Sequence, residues 1–116
     1  MNNLISGVDE VGRGSLIGPV YAAAVILNKS INVKILKDSK SLSKNKREKL
    51  FIYIKKNSIW AVGQASVKEI EKINILYASL LAMKRAIIKL KKKPSLVLID
   101  GNKLPNLENY NLKNVI

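Results

Sequence analysis

Two residue types that carry much of enzyme chemistry are missing from this chain of 116 residues, which has no cysteine and no histidine. Without cysteine there are no disulfides and no thiolate metal site. Without histidine the usual general base, the Ser–His nucleophile pair and the usual zinc ligands are excluded. Any catalysis must therefore rest on carboxylates, lysines, hydroxyls or a bound metal ion.

Long hydrophobic runs are also lacking. The longest, around residues 21–27, is far shorter than the roughly 20 residues that span a bilayer. The N-terminus has no basic region, apolar stretch or cleavage site typical of a signal peptide. We therefore expect a cytoplasmic protein with no membrane partner, and no obligate protein partner is evident. No internal repeat or low-complexity linker divides the sequence, which predicts one domain over residues 1–116.

Acidic residues are scarce, with eight against 21 lysines and arginines, for a net charge of +13. Such a charge favours a polyanionic partner. Lysine outnumbers arginine 18 to 3, and asparagine and isoleucine are abundant, a mixture that AT-rich coding produces without selection for binding. The charge leaves two interpretations open: a nucleic-acid partner, or a well-solvated basic surface.

The spacing of apolar residues predicts an α/β protein with a mixed sheet. We expect helices over residues 43–57 and from 66 to about 93, and strands over 4–10, 20–27, 60–65 and 96–101. Ser66 and Glu69 have the spacing of a capping box, and the second helix is expected to break near Asn74. The apolar run at residues 96–99 is typical of a strand buried on both faces. Residues 114–116 are expected to begin a further strand.

Three acids differ from the others because each ends an apolar strand: Asp9, Glu10 and Asp100. A charge there is costly unless it is paired or bound to a cation, and ligands bind at the carboxyl ends of strands in sheets with parallel neighbours. Carboxylates alone make an oxygen site suited to Mg²⁺ or Mn²⁺. Adjacent residues on a regular strand point to opposite faces, so Asp9 and Glu10 serve one site only if the strand ends or bulges there. The alternative is salt bridging to Arg13 and nearby lysines.

The segment Gly12-Arg13-Gly14 follows these acids directly. Glycines let the backbone approach a ligand closely, and exposed amides in such a turn bind a phosphate or a sugar hydroxyl. Arginine supplies a planar, permanently charged phosphate contact. Alone this segment is most often an ordinary turn. Beside two carboxylates able to bind metal, it indicates metal-assisted phosphodiester chemistry.

Four motifs, in the same order, resemble those of bacterial ribonuclease HII: GVDEVGRGSLIGPV, LKDSKSLSKNKREKL, INILYASLLAMKRAI and VLIDGNKLP. The resemblance implies a ribonuclease H-like fold with a mixed central sheet flanked by helices. It implies hydrolysis of the RNA strand of RNA–DNA hybrids and nicking 5′ of single ribonucleotides in duplex DNA, leaving 3′-hydroxyl and 5′-phosphate ends. It also implies Mg²⁺ or Mn²⁺ as cofactor, with two ions per active site in two-metal catalysis.

Site residues follow from the resemblance by motif position. The metal-binding catalytic acids correspond to Asp9, Glu10 and Asp100. The substrate-binding positions, which sense the 2′-hydroxyl at the RNA–DNA junction or contact a phosphate, correspond to Gly12, Arg13, Gly14 and Lys40. The related ribonuclease HIII usually has threonine where Arg13 stands and carries an additional N-terminal domain, so the resemblance is to ribonuclease HII.

Two departures from the family pattern qualify these expectations. Ser15 replaces a usual proline, which reduces loop rigidity. Family members also carry a fourth acid shortly after the point where this sequence ends, then an alanine-rich helix and a substrate-contacting tyrosine that Tyr110 does not match. We therefore expect a truncated domain, incomplete at the C-terminus, with little or no ribonuclease activity alone. One alternative is a catalytically impaired remnant of that enzyme that binds nucleic acid. Another is a basic structural protein of a ribonucleoprotein particle, and that alternative leaves the carboxylates unexplained.

Overall fold

A computed structural model of the protein describes residues 4–11, 18–27 and 43–115. In these ranges five strands and two helices follow one another, which confirms the predicted order. The fifth strand begins two residues earlier than expected, and the second helix ends at residue 89 rather than about 93. In chain order they are β1 (Ile5–Val11), β2 (Val20–Leu27), α1 (Lys44–Lys56), β3 (Ser58–Ala65), α2 (Val67–Lys89), β4 (Leu96–Asp100) and β5 (Leu112–Val115).

The strands form one mixed sheet in the order β3-β2-β1-β4-β5. β2 runs antiparallel to both β1 and β3, whereas β4 is parallel to β1 and to β5. The α/β class with a mixed sheet is therefore confirmed. The parallel register pairs Val8 with Ile99, so the carboxyl ends of β1 and β4 lie side by side at one edge.

Helix α2 covers one face of the sheet. It packs on β3, β2 and β1, and alternate residues of β1 to β4 are buried on this face, among them Val8, Ala24 and Ile99. The closest approach is at Gly63 of β3, where a Cβ atom would overlap the Ala82 carbonyl oxygen and the Ala86 nitrogen. The small residues of α2 and this glycine therefore let the helix and strand backbones pack directly against each other.

The opposite face of the sheet, which we call the open face, carries the other alternate residues. Large apolar side chains on it, Ile5, Tyr21, Trp60 and Val62, are exposed. Helix α1 approaches this face near its own C-terminal end, where Lys55 Nζ lies 5.2 Å from the centroid of the Trp60 ring. Among the described residues, neither helix has the length and hydropathy needed to span a bilayer.

Helix α2 begins with the predicted capping box and bends where predicted. The Ser66 backbone N–H donates to Glu69 Oε1 at 3.0 Å, and the Glu69 N–H donates to Ser66 Oγ at 3.2 Å. Asn74 has φ 68° and interrupts the helix. Its Oδ1 accepts a hydrogen bond from the Tyr77 N–H at 3.1 Å. Asn74 therefore serves as an N-cap for the second part of the helix.

A bidentate ion pair joins the two parts of α2 across this break. Arg85 donates to both Glu69 carboxylate oxygens, at 2.7 and 2.6 Å. Arg85 also donates to the Gln64 carbonyl at 2.8 Å, and Lys89 Nζ donates to the Val62 carbonyl at 3.3 Å. These contacts fix α2 to β3, the strand at one edge of the sheet. The Arg85 hydrogen bonds, followed by the one from the Ser66 N–H, lower the pKa of Glu69 to about 2.

Candidate active site

Two carboxylates meet at the carboxyl ends of β1 and β4. Asp9 follows Val8 in β1 and Asp100 follows Ile99 in β4, and those preceding residues pair in parallel register. Side chains of neighbouring residues in such a pairing lie on the same face, so Asp9 and Asp100 are side by side on the open face. Both residues are exposed. The apolar residue before each acid is buried in the core. Because these two residues pair with each other, the carboxylates that follow them lie next to each other.

The electrostatics of the pair disfavour two negative charges. The pKa of Asp9 is raised to about 6, most of all by partial removal from water, then by repulsion from Asp100 and by a hydrogen bond shared with it. Glu10 adds a further repulsion. The Glu10 backbone N–H donates to Asp9 Oδ1 at 2.8 Å and partly offsets these effects. Asp100 thus lies close enough to Asp9 to raise its pKa through both its charge and a hydrogen bond.

Glu10 occupies a different position from the other two acids. The ladder between β1 and β2 continues without a bulge from the Glu10–Ala22 pair to the Val11–Tyr21 pair. Alternation therefore places half-buried Glu10 on the face covered by α2, opposite Asp9. Within the described residues, no group of three acidic side chains is arranged to hold a metal ion. That all three acids serve one metal site stays a prediction.

The predicted substrate-binding residues cannot be placed against these carboxylates. Gly12, Arg13, Gly14 and Lys40 all lie outside the described residues, and their roles stay predictions.

Sequence reasoning did not single out the residue after Asp100. Gly101 has φ 118°, a conformation that glycine adopts readily, and its N–H donates to the Val115 carbonyl at 3.1 Å. Gly101 turns the chain out of β4 immediately after Asp100 while keeping it tied to β5. The signal was present in the sequence as a glycine directly behind a strand-ending acid.

The donor set of the pair fits a hard divalent cation. Asp9 and Asp100 offer only oxygen atoms, which suit Mg²⁺ and Mn²⁺. A cation between them would replace the mutual repulsion that raises the pKa of Asp9 with attraction to both carboxylates.

The sequence profile described as Ribonuclease HII matches residues 6–116. The chain belongs to the ribonuclease HII family. It is 80% identical over 113 residues to a ribonuclease HII of Pelagibacter ubique (strain HTCC1062), covering 97% of this chain and 61% of that protein. The chain spans between 51% and 61% of the length of four curated ribonuclease HII relatives that it matches.

Solved structures confirm the expected ribonuclease H-like fold. The ribonuclease H2 of Pyrococcus horikoshii OT3 superposes with a TM-score of 0.66 at 28% identity, over 84% of this chain and 49% of that one. A ribonuclease HIII solved in complex with Mn²⁺, Bst-RNase HIII, superposes with a TM-score of 0.64 at 24% identity, over 84% of this chain and 36% of that one. This fold is shared although each of these proteins is longer than the matched part.

Proposed function

We propose that this chain carries part of the active site of a metal-dependent endoribonuclease. Its substrates are the RNA strand of RNA–DNA hybrids and single ribonucleotides in duplex DNA, which it nicks on the 5′ side to leave 3′-hydroxyl and 5′-phosphate ends. The observation that carries the proposal is the pair of carboxylates, Asp9 and Asp100, set side by side where two parallel strands end. Family membership supports the choice of substrate.

The proposed roles follow from where each residue lies. Asp9 and Asp100 bind Mg²⁺ or Mn²⁺ from the open face, with Asp9 as the candidate to contact two ions. When bound, the metal supplies an activated water and stabilisation of the leaving 3′-oxygen. Glu10 completes the site only if its carboxylate reaches around the end of β1, because the strand is regular as far as Val11.

Substrate recognition is assigned to residues matched by motif alone. Gly12, Arg13 and Gly14 contact the ribose 2′-hydroxyl, the group that separates RNA from DNA. Lys40 contacts a phosphate. That residues 1–116 form a single ribonuclease H type 2 domain is likewise a proposal. It is supported by one continuous sheet that contains all five described strands.

A nicking assay tests the proposal on two proteins. One is the chain of residues 1–116, and the other is a chimera in which the unmatched part of the Pelagibacter ubique relative is joined to this chain in that relative's own order. With a duplex containing one ribonucleotide, we expect a metal-dependent nick by the chimera and a much slower one by the chain alone. An all-DNA duplex should stay intact. Absence of any metal-dependent nick by the chimera would falsify the proposed activity.

Matched variants assign the chemistry to the carboxylate pair. Asp9→Asn and Asp100→Asn in the chimera should each abolish nicking while hybrid binding is retained. Glu108→Gln removes an exposed acid from the segment between β4 and β5 and should leave nicking unchanged. Full activity in either aspartate variant would show that the pair does not bind the catalytic metal.

A second candidate function is binding to hybrids without cleavage. It is favoured by the position of Glu10 on the opposite face and by the absence of a three-acid group in the residues that the structure describes. It predicts salt-sensitive hybrid binding by the chain, with no nick at any metal concentration. A gel-shift assay at low salt that shows no binding would rule it out.

A further inference from the structure

The backbone of Asp100 is supported from one side of its strand. The ladder that joins β4 to β1 ends with the Val8–Ile99 pair, whereas the ladder that joins β4 to β5 continues to the pair of Asp100 with Val115. Beyond that pair the chain leaves β4 at Gly101, whose φ of 118° begins a turn. Among the described strands, β5 is therefore the one that supports the last residue of β4.

Two hydrogen bonds join β5 to the turn that follows Asp100. The Gly101 N–H donates to the Val115 carbonyl at 3.1 Å. The side-chain amide of Asn114 donates from Nδ2 to the Lys103 carbonyl at 2.9 Å. Both distances are ordinary for N–H···O hydrogen bonds. The turn is thus attached to β5 at its first and at its third residue.

Asn114 makes its contact on the face of the sheet opposite the carboxylates. It pairs with Ile99, which is buried on the face that carries α2, whereas Asp100 lies on the open face. The half-buried side chain of Asn114 reaches a backbone carbonyl three residues beyond Asp100. Any effect of this contact on the Asp100 carboxylate is therefore transmitted by the backbone of residues 101–103.

We propose that Asn114 is a positioning residue for the metal site. By holding the Lys103 carbonyl it fixes the turn at Gly101, and with it the direction in which Asp100 presents its carboxylate toward Asp9 and a cation between them. Groups that orient metal ligands from outside contribute strongly to metal affinity. The proposal rests on the proposed function, since it takes Asp9 and Asp100 as metal ligands, whereas the attachment of the turn to β5 is measurable without metal.

Two measurements on the chain of residues 1–116 test this role without nucleic acid or cleavage. The first is the affinity for Mn²⁺, from the electron paramagnetic resonance signal of the free ion. The second is hydrogen exchange of the Gly101 amide, measured by NMR without metal. Asn114→Asp keeps the size of the side chain and removes its donor, and Asn114→Ala removes the donor without adding a charge. Asn111→Asp and Asn111→Ala, at an exposed residue directly before β5, are the matched controls.

Both Asn114 variants should bind Mn²⁺ about tenfold more weakly than the parent. The direction is diagnostic for Asn114→Asp, because an added negative charge would by itself strengthen cation binding. The Gly101 amide should exchange about tenfold faster in both variants. The Val97 amide, which donates to the Asn111 carbonyl at 2.8 Å near the other end of β5, should keep its rate. Both Asn111 variants should match the parent in Mn²⁺ affinity and in exchange at Gly101.

Asp100→Asn separates failure of this role from failure of the metal site. If Asp100→Asn weakens Mn²⁺ binding and the Asn114 variants do not, Asn114 has no positioning role. Unchanged exchange at Gly101 in the Asn114 variants overturns the role as well. So does an equal acceleration at Gly101 and Val97, which would show that β5 loosens as a whole. If Asp100→Asn binds Mn²⁺ like the parent, the proposed metal site is wrong and the positioning role fails with it.

Discussion

At the scale of single residues, Asp9 and Asp100 show that two carboxylates placed together, as suits a cation, lower the folding stability. The raised pKa of Asp9, about 6, means that folding favours its protonated form. The contribution of this group to folding stability is therefore fully present below pH about 4, the ordinary range of an aspartate pKa. It is lost as the pH rises through about 6. At neutral pH the folded protein carries the repulsion between the carboxylates.

Asp100→Asn should lower the pKa of Asp9, because the charge that repels its ionised form is removed. The melting temperature should rise by a few degrees at pH 7.5 and stay unchanged at pH 4, where Asp9 is protonated in the parent. Water around these exposed groups keeps the effect modest. Carboxyl NMR titration and thermal unfolding at the two pH values provide the measurements. Glu108→Gln is the control, and an equal rise in both variants would contradict the assignment.

Added Mg²⁺ or Mn²⁺ should stabilise the parent at pH 7.5, because an ion that binds only the folded state raises its free energy of unfolding. A rise in the melting temperature with metal concentration is the expected readout. Asp9→Asn and Asp100→Asn should each reduce this rise strongly. If both variants respond to the metal like the parent, the ion binds elsewhere.

At the scale of helices and strands, the contact between α2 and β3 depends on a glycine, Gly63, whose lack of a side chain leaves room for the helix backbone. Gly63→Ala should reduce the free energy of unfolding by about 1–3 kcal/mol, because the new methyl group meets the backbone of α2 rather than a movable side chain. Gly7→Ala in β1 is the matched control, since its added Cβ has no atom within 4 Å, and should leave stability unchanged or raise it by up to about 1 kcal/mol. Urea unfolding measures both. Equal effects would mean that α2 does not approach β3 this closely.

The ion pair across the break in α2 predicts a distinct pH dependence. Because the pKa of Glu69 is lowered to about 2, its stabilising contribution is present above pH about 4.5 and is lost as the pH falls toward 2. Glu69→Gln should lower the melting temperature at pH 7, and the difference from the parent should close over that acidic range. Glu71→Gln changes an exposed glutamate two residues further along α2. A Glu69→Gln effect no larger than that of Glu71→Gln at pH 7 would show that the ion pair contributes nothing.

Local sequence patterns predicted most of the helices and strands, but they did not predict the contacts between residues far apart in the sequence. The capping box at Ser66 and the break at Asn74 were predictable because their signals lie within a few residues of each other. The acids at the strand ends were recognised because an apolar run precedes each. The pairing of Arg85 with Glu69 depends on a bend that brings together residues 16 positions apart, and the role of Gly63 depends on a helix that follows it. Neither has a local signal.

At the scale of the whole molecule, the net charge of +13 predicts strongly salt-dependent binding to nucleic acid. If six or more phosphates are neutralised, affinity for a hybrid should fall by about 10³ or more between 50 and 200 mM salt. A neutral-backbone oligonucleotide of the same sequence should show almost no dependence. Fluorescence anisotropy over a salt series measures both. A flat response for the hybrid would indicate that the basic surface only keeps the protein in solution. The cytoplasmic location stays a prediction.

The hydrogen bonds from Arg85 and Lys89 to the carbonyls of Gln64 and Val62 affect where a further strand can join the sheet. A polypeptide that adds itself as a new strand needs those carbonyls as acceptors, and here α2 already occupies them. At the other edge, β5 pairs with β4 on one side only and is four residues long. Among the described strands, the end of β3 at Val62 and Gln64 is therefore closed to a further strand. A strand added to this sheet is expected to pair with β5 rather than with this end of β3.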